Sequence, residues 1–145
     1  MSDASTVTLP RGFRAHVANV GVKDDTDDLA IVDATTPVAA AAVFTRSRFA
    51  GPSVDISRDH ITDRRAQAVV IVSKNANVAN GPAGERDAAE LCDLTAAAVG
   101  CQPTEVLVAS TGVIGRRYPI DQIRRGIGDA SDFSAAPVDV ARAMM

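Results

Sequence analysis

The sequence predicts an α+β domain in which helices pack on a mixed sheet, and three observations lead there. The run Ala68-Val69-Val70-Ile71-Val72 is uninterrupted, β-branched and bounded by polar residues, the pattern of a central strand buried on both faces. From Gly84 to Val99, apolar residues recur at Ala88, Leu91, Cys92, Thr95, Ala98 and Val99, which is helical spacing, and Gly100 follows as a stop. Val106-Leu107-Val108-Ala109 then supplies a second buried strand. Residues 68–109 therefore read as a strand-helix-strand unit with parallel strands and a right-handed crossover.

The other elements follow from local chemistry in chain order. Residues 1–10 are polar and end at Pro10, so a mobile arm is expected before a single domain over residues 11–145. Phe13 to Val20 reads as a strand, Gly21 as a turn, and Leu29 to Val32 as the returning arm of a hairpin. Asp24, Asp25, Asp27 and Asp28 lie between them without the spacing, glycine and closing Glu of a calcium loop, so a solvated loop is expected. Pro37 is expected to break the chain, with Val38 to Phe44 forming another strand or, alternatively, a helix. After Gly51-Pro52, Val54 to Ile56 reads as extended, with Ser57 capping a helical turn through Ile61. Tyr118-Pro119 opens a helix whose face carries Ile120, Ile123 and Ile127, and Pro137 opens another containing Val140, Ala141 and Met144. No Gly or Asn follows that last helix as a stop, so the coding unit is expected to continue past Met145 or to have been cut there.

Composition narrows the function. The 145 residues are 46% apolar but only 3% aromatic, so the core rests on Val, Ile, Leu and abundant Ala. Alanine buries little area, and self-assembly or a second chain is expected to complete the core. A net charge of −3 gives no basic field for a nucleic-acid backbone. Two cysteines and two histidines without ligand spacing make neither a disulfide framework nor a zinc site. The amino-terminal residues lack a signal-peptide pattern and no run of about 18 apolar residues occurs, so a cytoplasmic location and no membrane partner are expected.

Two loops are placed for chemistry. Ser110-Thr111-Gly112-Val113-Ile114-Gly115 follows a buried strand, where glycine admits close backbone approach and free N–H groups can face developing negative charge. A tight turn capped by Ser110 or Thr111 explains the same residues, and the glycine spacing fits neither nucleotide-binding fingerprint. Ser73 to Gly81 follows the other buried strand, and the two loops are expected to converge. Asn75 and Asn77 suit a polar ligand or the backbone of an irregular loop equally well. Lys74 would act as a base or carboxylate anchor only if buried, which its sequence surroundings do not indicate. Neither His16 nor His60 shares a pattern with Ser110 or Thr111.

Taken together, Gly12-Phe13, Gly21-Val22-Lys23, Ala42-Val43-Phe44-Thr45-Arg46-Ser47-Arg48, Asn75-Ala76-Asn77 with Gly81 and Gly84, and Ser110 to Gly115 resemble the ornithine acetyltransferase family. The order and spacing hold across nearly the whole chain, and the Phe-Thr-Arg and Ser-Thr-Gly-Val-Ile-Gly blocks are its specific parts. Val72-Ser73-Lys74 stands where primary arginine-pathway members have Asn-Ser-Gly. This departure is similar to a branch found in antibiotic-type gene clusters of actinobacteria.

The resemblance implies an αββα-type sandwich, of which this chain is part of an α chain, completed by a β chain that begins with a nucleophilic Thr after autocatalytic cleavage. It further implies that Thr111 and Gly112 form an oxyanion hole, through the Thr111 hydroxyl and the Gly112 N–H. The implied reaction moves acetyl from N2-acetyl-L-ornithine to L-glutamate through an acetyl-Thr ester, without metal or cofactor, in a heterotetramer or larger assembly. The family's nucleophile lies beyond the position of Met145, so these residues alone are expected to be inactive. An amidohydrolase or aminopeptidase of the same fold, and a non-catalytic binding module, are the alternatives.

Overall fold

The computed structural model describes residues 7–23 and 25–145. Eight main elements follow one another: β1 (Arg14–Ala18), β2 (Leu29–Ala39), α1 (Pro52–His60), β3 (Arg65–Val72), α2 (Gly81–Val99), β4 (Val106–Ser110), α3 (Ile120–Gly128) and α4 (Pro137–Ala143). The strands form one sheet in the order β1-β2-β3-β4. The first three are antiparallel neighbours, whereas β3 and β4 are parallel, because a long helix rather than a tight turn joins them. The sheet is therefore mixed, and the expected strand-helix-strand unit is present. Gly100 ends α2 in the left-handed region at φ 78°, where its N–H bonds back to the Ala96 carbonyl.

Strand alternation sorts the side chains into two clusters. Leu29, Ile31, Ala68, Val70, Val72, Val106 and Val108 face α2, where Leu91, Cys92, Ala96 and Val99 meet them, and Tyr118, Ile123 and Ile127 extend the same core. Burying each large aliphatic chain there stabilises the fold by roughly 1.5–3 kcal/mol before entropy is counted. On the opposite face, α4 sets Val140 and Ala143 against Ala15 and Ala30. This cover reaches Ile71 of β3 but, among the described residues, no hydrophobic residue of β4. Val69, Ile71 and Leu107 remain half-buried and Ala109 exposed, so the central strand is not enclosed on both faces within this chain.

Several expectations need correction. Pro37 does not end a strand: β2 runs through it, and the ladder is interrupted between Asp33 and Val38, where a missing N–H costs least. No strand or helix spans Val38 to Phe44. Only Val38 and Ala39 belong to β2, and Val43 is 99% exposed, since an alanine-rich run has no alternating large side chains to bury. The segment from Val54 to Ile56 is helical rather than extended, because Pro52 opens α1 at its first turn. Ser57 lies inside that helix. Its hydroxyl donates to the Val108 carbonyl at 2.9 Å and accepts from the Val108 N–H at 2.8 Å, satisfying the edge of β4.

The acidic turn is also more ordered than a solvated loop. Asp28 is fully buried and its carboxylate accepts the backbone N–H groups of Val20, Val22 and Lys23 at 2.8, 2.7 and 3.0 Å. Asp24 lies outside the described residues, as do residues 1–6 of the expected arm. Leu9, near the arm's end, packs against the second cluster.

Candidate active site

Parallel pairing brings the ends of β3 and β4 together, with Val72 opposite Ser110, so the loops that follow leave the sheet side by side. They clasp through main-chain bonds. The Thr111 N–H donates to the Val72 carbonyl at 3.1 Å, Val113 to Lys74 at 3.2 Å, Ala76 to Val113 at 3.0 Å and Gly115 to Val78 at 2.8 Å. Gly112 sits at the tightest point of this clasp. Its φ is 134°, and a Cβ there would lie 2.1 Å from the Lys74 carbonyl carbon, so only glycine fits.

Side chains brace the same clasp. Asn75 is buried; its Oδ1 accepts the Asn77 N–H at 2.8 Å and its Nδ2 donates to the Arg117 carbonyl at 3.0 Å. Asn77 donates to the Gly84 carbonyl at 2.8 Å, at the start of α2. Both asparagines thus serve the loop backbone, one of the two roles their residue type allowed. The Ser110 hydroxyl donates to the Asn75 carbonyl at 2.6 Å and accepts from the Tyr118 hydroxyl at 2.6 Å. Burial pushes the Tyr118 phenol above its ordinary range, while the nearby Ser110 and Ser53 hydroxyls pull the other way. Tyr118 is therefore a neutral donor, and Ser110 is committed to structure.

Thr111 and Gly112 differ from their neighbours. Both are exposed, and among the described residues no hydrogen bond engages the Thr111 hydroxyl or the Gly112 N–H. They line a cleft of about 640 Å³ together with Val22, Val113, Met144 and Met145. The charged residues lining it, Lys23, Lys74 and Arg116, are all cationic. Lys74 has φ 69°, in the left-handed region, and Asn77 and Ala79 share that region at 48° and 62°. Holding a lysine there costs roughly 1 kcal/mol relative to glycine. Strain of this kind concentrates where a loop must present groups in a fixed direction.

Other chemistry is not assembled. The Nδ1 atoms of His16 and His60 lie 2.7 and 2.8 Å from the Asp132 and Val106 carbonyls, and neither imidazole bonds to Ser110 or Thr111. Desolvation pushes the Cys92 thiol up to about 12 and the Cys101 thiol up to about 11, which removes both as thiolate nucleophiles at neutral pH. Among the described residues no three His, Cys, Asp or Glu side chains gather as metal ligands, and no helix is long and apolar enough to cross a membrane. A second hollow of about 460 Å³, with Asp55, Asp59, Glu85 and Phe49 in its wall, includes neither Thr111 nor Gly112.

Comparison with known proteins bears on this arrangement. A match to the ArgJ family covers residues 14–145. An arginine biosynthesis bifunctional protein ArgJ of Nostoc is 47% identical over 135 residues, covering 92% of this chain and 35% of the relative. A glutamate N-acetyltransferase of Streptomyces clavuligerus is 51% identical over 125 residues, covering 86% and 32% respectively. The chain thus spans about a third of the length of the curated relatives it matches. Among solved structures, ornithine acetyltransferase complexed with ornithine from Mycobacterium tuberculosis superposes with a TM-score of 0.86 at 34% identity, covering 97% of this chain and 78% of that one. The arginine biosynthesis bifunctional protein of Bacillus halodurans gives a TM-score of 0.87 at 28% identity, over 92% and 72%. Fold and sequence agree across nearly the whole length of this chain, which therefore belongs to the ArgJ family.

Proposed function

We propose that these residues form the charge-stabilising half of an acyltransferase that, as a complete protein, moves acetyl from N2-acetyl-L-ornithine to L-glutamate. The observation that carries the proposal is the pair of unengaged donors, the Thr111 hydroxyl and the Gly112 N–H, exposed at a cleft mouth on a braced turn. In the proposed cycle a Thr hydroxyl at the amino terminus of a β chain attacks the acetyl carbonyl. Electron density moves onto the carbonyl oxygen, and Thr111 and Gly112 donate hydrogen bonds to it as it becomes an alkoxide. The intermediate collapses by expelling the ornithine amine, which takes up a proton and leaves an acetyl-Thr ester. Attack by the glutamate amine then reverses the sequence. The atoms balance without electron transfer, so the cycle needs no cofactor.

Preorganisation is what this chain supplies. The clasp fixes the donors before substrate arrives, so no free energy is spent orienting them as charge develops. The β chain is placed by the same proposal over the half-covered sheet face, where Val69 and Leu107 are half-buried and lie outside both core clusters. A heterotetrameric or larger cytoplasmic assembly belongs with it.

The identity of the acceptor is the direct test. The complete protein incubated with N-acetylornithine is expected to release ornithine only when glutamate is present, with N-acetylglutamate formed in equal amount. Release of acetate and ornithine at the same rate without glutamate would overturn the transferase reading in favour of an amidohydrolase.

A further inference from the structure

We propose that Lys74 is a substrate-carboxylate anchor of the cleft at Thr111 and Gly112, an inference that rests on the acyl-transfer reading and assigns its acid-group subsite. Three observations meet on this residue. Its backbone occupies the left-handed region at φ 69°, a conformation in which glycine is cheaper, so the lysine side chain is retained against a local cost. Its ammonium donates to the Asp27 carbonyl at 2.8 Å and to the Ser73 hydroxyl at 3.2 Å, which holds the group in place and leaves one N–H over. The acceptors are neutral oxygens. Among the described residues no carboxylate lies within ion-pair distance of Nζ, so the charge is positioned without being neutralised.

The surroundings point the same way. Lys23 and Arg116 are the other charged side chains lining this cleft, and among the described residues no Asp or Glu side chain lines it. Asp25 and Asp27 line a neighbouring hollow that Lys74 shares, where Lys23 and Arg142 also stand, so those two carboxylates have cations of their own beside them. A carboxylate entering the cleft meets a half-buried lysine, its ammonium held by Asp27 and Ser73, in the same lining as the two donors proposed for the acetyl oxygen. The chemical class of ligand is an amino acid whose carboxylate lies a few bonds from the reacting nitrogen. Both the acyl donor and the acceptor have such a group.

The test uses the complete protein and three variants. Lys74→Met removes the charge at similar length, Lys74→Gly removes charge and backbone strain together, and Lys74→Arg keeps the charge. Losing a charge-assisted hydrogen bond predicts that KM for glutamate, N-acetylornithine or both rises about tenfold or more in the Met and Gly variants, with kcat within about twofold and most of the loss recovered by Arg. Which KM moves identifies the substrate held. Calorimetric titration with L-glutamate and with N-acetylornithine gives the corresponding affinities without turnover, so the inference is tested even if acetyl transfer fails. Unchanged KM and affinity for both ligands in the Met and Gly variants, whatever happens to Tm, would overturn it and leave Lys74 a tie to the acidic turn. Absence of acetyl transfer in the wild type strikes the transferase reading instead.

Discussion

Gly112 shows how one residue type can be dictated by one contact. Its backbone passes so close to the Lys74–Asn75 peptide that a methyl group overlaps main chain, which cannot rotate away. Gly112→Ala is therefore expected to destabilise the complete protein by about 2–4 kcal/mol, combining a strained φ with an overpacked contact. Denaturant titration checks this, and an unchanged midpoint would mean that the clasp is looser than its geometry. The need for glycine after β4 was legible in the sequence, but its cause was not, because Lys74 lies 38 positions earlier. Buried polar residues share this limit. Asp33 is fully buried, yet it accepts from the Arg14 guanidinium at 2.6 Å and the Gln67 amide at 3.2 Å, and no spacing rule joins those positions.

At the scale of elements, α1 is the part the sequence concealed. Its nine residues carry no continuous apolar stripe, and the helix is fixed by Pro52 at its start and by polar bonds to the β4 edge. Ser57→Ala is expected to leave the Val108 N–H and C=O buried and unpaired, at a cost of about 1–3 kcal/mol. Hydrogen exchange at the Val108 amide should accelerate by a corresponding factor, and protection equal to the wild type would show that α1 does not guard this edge. By contrast β3, α2 and β4 were legible because their signals are local: β-branched runs for the strands, a 3.6-residue period for the helix and Gly100 for its end. The run from Val38 to Phe44 misled because apolar composition alone does not show whether a surface is there to receive it.

For the molecule as a whole, one sheet separates two environments. The face toward α2 is closed by large aliphatic side chains, and the opposite face is closed only beside α4. Parallel pairing of β3 and β4 then does for the site what no single segment does, setting a lysine-bearing loop beside a Thr-Gly turn at the same end of the sheet. Order and spacing of the motifs announced that meeting. The cationic lining of the cleft did not show in the sequence, because Lys23, Lys74 and Arg116 come from three separate turns.

The claim on which the account turns is that Thr111 acts on charge that exists only during reaction. Steady-state kinetics of the complete protein carrying Thr111→Ala measure this most directly. The expected result is a kcat lowered by ~10²–10³ with KM for N-acetylornithine and Tm close to wild type. A kcat equal to the wild type, or a loss explained wholly by unfolding, would contradict it and leave Thr111 a turn residue.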